Sequence, residues 1–333
     1  MGRVLLNQFS WSKSRHERFS ECRRSYYFNY YRSWGGWADD APREIKELYV
    51  LKKLSNRYTW SGSIVHAAIR GALMAQRHGR SLEPNRLIDR VYRVMREDFA
   101  FSRAKSFWNK KWRKDFRGLV EHEYLEEVAD AAWKQNWDNV RTGLEWWFSS
   151  KWPKIARQLR PHQWIEIDVM DFDRSFFQLE GVRVFAAPDL ALIGKDGAGV
   201  IVDWKTGKPR EGYDDQVLGY ALYLQARYRL PAEQMRAHLV YVNAPKEEQV
   251  AIDPARLEGF KQKFSTSVAQ MRALLQDPVA NVPLGEDAFP RTTDLNSCAR
   301  CAFRRPCGRE DDLKRGHIAP VELPDEPSTE PTT

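Results

Sequence analysis

Two acids and a lysine carry the clearest chemistry in this chain: Asp189, in Ala-Pro-Asp, and Asp203 and Lys205, in Val-Asp-Trp-Lys-Thr-Gly. Thirteen residues separate the acids, and they include the glycine-rich stretch Gly-Lys-Asp-Gly-Ala-Gly at 194–199. Folded as a hairpin, this stretch sets Asp189 beside Asp203 on adjacent strands. Lys205, two residues on, shares the strand face of Asp203. Two neighbouring carboxylates are costly unless a cation neutralises them. Carboxylate oxygens and water suit Mg2+ or Mn2+. An ammonium beside that cation suits a phosphate substrate, where it orients water or offsets developing charge. Taken alone, the same residues equally suit a surface hairpin with an ordinary Asp203–Lys205 ion pair.

Other candidates are weaker singly. His66 follows Gly62 by four residues in a helical stretch, where a lone histidine is more often a satisfied surface or core residue than a ligand. Gln216 and Tyr220 are four apart and share one helix face. Glu166 is an extra acid on the first expected strand, as well suited to the surface as to a site.

Four cysteines form a separate pattern: Cys22 near the start, then Cys298, Cys301 and Cys307 as C-x2-C-x5-C. A disulfide framework is disfavoured in a large chain that reads as cytosolic. Four thiolates suit an iron–sulfur cluster or zinc. Zinc ribbons usually pair their cysteines two and two, so one plus three favours the cluster. Free structural cysteines are the remaining alternative.

The elements that must position these groups follow from periodicity. Residues 163–170, 181–193 and 200–204 alternate as strands, 214–229 reads as a helix, and 237–243 as another strand. Asp253-Pro254 opens a helix to about 276. His66 falls in a helix over 62–78. An N-terminal helix carries Phe19, Cys22 and Tyr26 on one stripe, until Gly35-Gly36 breaks it. Strand, strand, strand, helix, strand is not a nucleotide-binding wind, and no glycine-rich phosphate loop occurs. The expected division is 1–79 N-terminal helices, 80–160 helical insertion, 161–280 α/β core, 281–310 cysteine cluster and 311–333 disordered tail. Within the insertion, residues 101–118 (FSRAKSFWNKKWRKDFRG) hold seven basic residues and one acid. Interleaved bases and aromatics suit a single-stranded nucleic acid groove. They suit an amphipathic helix with a solvated basic face just as well.

Composition agrees with a folded, polyanion-binding protein. With 42% hydrophobic residues the 333-residue chain can bury a sizeable core. Its net charge of +8 favours polyanionic partners. No apolar run is long enough to span a bilayer, and charge interrupts the N-terminus early. The expectation is a cytoplasmic protein with no membrane partner.

In order along the chain, GSIVH (62–66), APD (187–189), VIVDWKTG (200–207) and QVLGY (216–220) resemble the PD-(D/E)XK nuclease superfamily. Within it they are similar to the RecB-like branch, including the AddB nuclease domain and the CRISPR-associated spacer-acquisition exonucleases. Some of that branch resemble one another in one cysteine before the core and three after it, binding a 4Fe-4S cluster that clasps the domain shut. The segment SWSKSRHERFSECRRSYYFNYY (10–31) is similar to theirs. The resemblance covers residues 9–34, 60–70 and 164–308, not the insertion. It implies an α/β, restriction-endonuclease-like core with a mixed central sheet flanked by helices, plus the helical insertion and an iron–sulfur clasp. It implies that His66, Asp189, Asp203 and the Trp204 carbonyl hold Mg2+ or Mn2+. Lys205 would sit by the attacking water, Gln216 and Tyr220 would position DNA or the lysine, and Cys22, Cys298, Cys301 and Cys307 would hold the cluster. The expected activity is a metal-dependent DNA exonuclease that prefers single strands, in repair and recombination, CRISPR adaptation or phage-related processing. The alternatives are a non-catalytic DNA-binding subunit of a repair or defence complex, and an RNA-processing nuclease.

Overall fold

Capping residues decide where the main helices begin, and the described residues between them form three sheets. The computed structural model describes residues 6–109, 117–168, 175–209, 212–244 and 246–315. Their order is β1 (Ser10–Trp11), α1 (Lys13–Glu21), α2 (Arg23–Tyr27), a π-helical turn, α3 (Arg43–Leu51), α4 (Arg57–Arg77), α5 (Pro84–Arg103), α6 (Val120–Glu123), α7 (Asp130–Ser149) and α8 (Lys151–Gln158). Then follow β2 (Trp164–Glu166), β3 (Phe176–Leu179), β4 (Val182–Phe185), β5 (Leu190–Ile193), β6 (Gly199–Lys205), α9 (Tyr213–Tyr228), β7 (Met235–Tyr241) and β8 (Lys246–Val250). The chain closes with α10 (Pro254–Arg272), β9 (Leu275–Asp277), β10 (Val282–Pro283), α11 (Leu295–Ala299) and α12 (Glu310–Arg315).

The first amides of α4 are all provided for. Asn56 accepts from the N–H groups of Tyr58 and Thr59, and the Glu121 carboxylate accepts from Arg57 N at 2.8 Å. Helices α5 and α10 each combine an acidic cap, Glu83 or Asp253, with proline at the first position. The expected N-terminal helix is broken at Cys22, which adopts an extended backbone and caps α2 with its sulfur. Its single stripe of Phe19, Cys22 and Tyr26 is therefore replaced by two short helices. The expected strand over 181–193 is likewise two strands, β4 and β5, in different sheets. Pro188, which has no N–H to give a ladder, lies between them. Strands β1, β3, β8, β9 and β10 had no sequence expectation.

The central sheet has the order β2-β5-β6-β7-β8. It is mixed: β6 and β7 run parallel, and the other pairs are antiparallel. A parallel pair needs a crossover, which α9 supplies. Alternation along β6 then sorts its side chains. Val202 and Trp204 enter a core shared with Trp60, Ile69, Val91, Leu144, Trp147 and Trp152 from α4, α5, α7 and α8. Asp203 and Lys205 point to the other face. Helices α5, α7 and α8, from the stretch expected as an insertion, thus pack on one face of the central sheet. Trp204 packs edge-on against Trp147 and Trp152, at 6.2 and 5.7 Å between ring centroids.

By compactness the chain forms two units, each built from two segments: 1–17 with 53–285, and 18–52 with 286–333. The first holds all three sheets. The second has an aromatic core in which Tyr27 stacks on Phe289 at 4.7 Å and Phe28 meets Phe303 edge-on at 5.7 Å. Arg305 pairs with Glu47 at 3.0 Å within it. Among the described residues no helix is long and apolar enough to cross a membrane. Residues 110–116 of the basic stretch, and 316–333 of the tail, lie outside the described residues.

Candidate active site

Register decides how the acids meet. The hairpin of β5 and β6 pairs Leu190 with Val202, which sets Asp189 across from Asp203. Asp189, Asp203, Lys205 and Tyr220 are all buried. Asp189 Oδ2 accepts from Trp204 N at 2.7 Å, and its Oδ1 lies 2.9 Å from His66 Nδ1. His66 reaches there because α4 runs close to the end of β6. A Cβ at Gly62, one turn before His66, would stand 3.0 Å from Thr206 Oγ1. The Gly-x-x-x-His spacing thus has a packing reason as well as a chemical one.

The remaining candidates close a ring. Lys205 Nζ lies 2.6 Å from Asp203 Oδ2, an ion pair without hydrogen-bond geometry at that oxygen. Lys205 Nζ donates to Gln216 Oε1 at 2.7 Å, Gln216 Nε2 to Tyr220 Oη at 2.5 Å, and Tyr220 Oη to Asp203 Oδ1 at 3.4 Å. Gln216 and Tyr220 sit one turn apart on α9, so a single helix face supplies two links. These groups line one cavity of about 450 Å3, together with Ser12, Lys13 and Tyr213.

Electrostatics in the site are those of crowded acids. Burial, and then the charge of Asp189, raise the Asp203 carboxyl, against the pull of Lys205. Burial alone would lower His66, but the Asp189 carboxylate, aided by Asp203 and Asp168, holds it at about 9. Tyr220 is raised well above its ordinary value, first by burial and then by Asp203, and stays a neutral donor. Here His66 and Lys205 offset the two carboxylates, and a divalent cation could take over that role, so the donor chemistry fits one. Among the described residues, however, no three His, Cys, Asp or Glu side chains stand arranged to hold a metal ion. The physical reason is that the donors are turned on one another: His66 to Asp189, and Asp203 to Lys205 and Tyr220.

Sequence reasoning missed Asp168 and misjudged Glu166. Asp168, just past β2, donates its N–H to the carbonyls of Pro188 and Asp189, and its carboxylate lies 3.5 Å from Arg70 on α4. Burial and then Asp189 raise its carboxyl. Its signal was the alternation Glu166-Ile167-Asp168. Glu166 is neither at the surface nor turned to the site. It is buried, and its Oε1 accepts from Tyr228 at 2.6 Å and from Tyr223.

All four cysteines belong to the second compact unit. They are free thiols. Cys22 and Cys301 sulfurs each accept a backbone N–H, from Ser25 and Phe303, at 3.4 Å. Burial and then the charge of Cys22 push Cys307 up to about 11. Burial also raises Cys298 and Cys301, and Cys22 adds to both. Arg309, Arg18 and Arg24 oppose these shifts. Cys22 thus acts on each of the other three thiols, yet among the described residues the four are not arranged to hold a metal ion.

A family model described as the PD-(D/E)XK nuclease superfamily matches residues 10–308, running across the helical stretch as well as the sheet. No curated protein matches the chain.

Proposed function

The chain belongs to the PD-(D/E)XK nuclease superfamily, whose members hydrolyse phosphodiesters and generally use Mg2+ or Mn2+, and from that premise we propose a metal-dependent DNA exonuclease that prefers single strands. The observation that carries this reading is the closed ring of Lys205, Gln216, Tyr220 and Asp203 facing the same cavity as Asp189 and His66. Asp189, Asp203, His66 and the main-chain carbonyl of Trp204 would hold the divalent cation, which when bound activates water and offsets charge on the phosphate. Lys205 then stands as the cation of the protein nearest the reacting phosphate. It donates to the attacking water or to a phosphate oxygen as negative charge builds there. Gln216 keeps the ammonium in place, and neutral Tyr220 fixes the Asp203 carboxylate through a donated hydrogen bond. Water adds to phosphorus as the P–O bond to the leaving sugar breaks.

A basic surface on α5 suits a nucleic acid strand. Helix α5 exposes Arg86, Arg90, Arg93 and Arg96, and among the described residues none of them forms an ion pair. Tyr92, also exposed, sits between them, 4.8 Å from the Trp137 ring. Guanidinium groups outside ion pairs suit phosphates, and exposed aromatic faces suit bases, although Arg96 already lies over the Tyr92 ring at 5.9 Å.

Cys22, Cys298, Cys301 and Cys307 would hold a 4Fe-4S cluster with a structural role, joining the two chain ends that make up the second unit. Iron and sulfide assays on anaerobically purified protein test this, with Cys22→Ala expected to lose both iron and melting temperature. A Cys22→Ala protein with full iron and an unchanged melting temperature would sink it.

The activity is tested with end-labelled single-stranded DNA and matched RNA, with Mg2+ or Mn2+, beside Lys205→Ala. A ladder on DNA from the parent and none from the variant is the expected result. Equal cleavage of RNA would make this an RNA-processing nuclease. No cleavage by fully loaded parent would leave a DNA-binding subunit.

A further inference from the structure

Tyr213 is the first residue of α9 and follows Gly212, whose φ of +82° is a backbone conformation that suits glycine. The turn brings the Tyr213 ring beneath the ammonium of Lys205, whose Nζ lies 4.1 Å from the ring centroid. That is within the range of a cation–π contact. Tyr213 and Gln216 are three apart, so the first turn of α9 presents both to the same ammonium.

Among the described residues Lys205 therefore has one charged holder, Asp203, and two neutral ones. The distinction matters for the nuclease reading, on which this inference rests. A carboxylate occupied by a divalent cation no longer attracts an ammonium as it did, and the two positive charges repel. Gln216 and the Tyr213 ring keep their hold whatever the charge state of the carboxylates. We propose that Tyr213 is a positioning residue, whose ring aims Lys205 at the reacting phosphate when Asp203 is engaged elsewhere. The ring face does this work and the hydroxyl does not. Tyr213 also lines the cavity, so it stands where the substrate must enter.

The test compares parent, Tyr213→Leu and Tyr213→Phe in steady-state cleavage of single-stranded DNA, with binding measured separately in EDTA. Tyr213→Leu is expected to lower kcat about tenfold, the scale of one partly desolvated cation–π contact, with KM and Kd unchanged. Tyr213→Phe is expected to restore kcat. A Leu variant with parental kcat, or a Phe variant as slow as the Leu variant, overturns the proposal. A second readout needs no turnover. In protein with 13C-labelled lysine, the Lys205 Hε signal, assigned by its loss in Lys205→Arg, should be shifted upfield by the ring in parent and Phe variant. It should return to the ordinary lysine position in Tyr213→Leu. A signal that stays put in Tyr213→Leu also overturns the proposal, and it does so even if the parent proves inactive and the nuclease reading itself fails.

Discussion

Asp189 and Trp204 are bound to each other by a carboxylate–amide hydrogen bond of 2.7 Å across the β5–β6 hairpin, so one acid both faces the cavity and ties the strand that carries Asp203 and Lys205. Site and scaffold share a carboxylate there. Removing the charge and removing the acceptor should consequently have different effects.

Asp189→Asn keeps an oxygen for the Trp204 amide, and it should abolish cleavage while leaving unfolding by denaturant close to parental. Asp189→Ala leaves that buried N–H without a partner and should cost a further ~1–3 kcal/mol. Equal stability of the two variants would show that the hydrogen bond contributes nothing.

Trp204 turns its indole away from the cavity, into the wall formed by Trp147 and Trp152. Trp204→Ala should lose about 3–5 kcal/mol of unfolding free energy, as large buried aromatics do. Trp204→Phe should lose less and should retain cleavage, because the neighbouring carboxylates are held from the other face of the strand. Urea titration beside an activity assay checks both.

Glu166 serves the fold, on this geometry. Glu166→Gln should cleave at the parental rate, whereas Glu166→Ala leaves the Tyr223 and Tyr228 hydroxyls without their acceptor and should cost ~1–3 kcal/mol. A large loss of kcat in Glu166→Gln, with binding intact, would return this acid to the active site.

His122 makes stability depend on pH. It lies 2.9 Å from Ser102 Oγ and stacks on Trp133, and burial, followed by the charge of Arg103, lowers it to about 4 from the ordinary 6.5. Its folded value is below its unfolded one, so between those two pH values the unfolded chain binds the extra proton. Its contribution is fully present above pH 6.5 and is lost as pH falls toward 4. Melting temperature should therefore fall less steeply on acidification in His122→Gln than in the parent. Parallel slopes would show that His122 does not titrate with unfolding.

The order and spacing of Gly62, His66, Asp189, Asp203, Lys205, Gln216 and Tyr220 carried the resemblance to the superfamily, while strand and helix periods by themselves placed Asp203 with Lys205, and Gln216 with Tyr220, on common faces. The cap Asp253 is a local signal of the same kind, acting within three residues of itself. Folding alone decided what those faces meet. Nothing local says that Cys22 ends a helix, that Pro188 parts two sheets, that Glu166 is spent on two tyrosines, or that Asp168 and Tyr213 stand beside the site. Nor does anything local say that the tryptophans of the helical stretch are the floor beneath Trp204. Each of these is a contact between residues far apart in sequence. Such contacts are set by how whole elements pack to bury apolar surface and pair polar atoms, a condition that periodicity along one element does not contain.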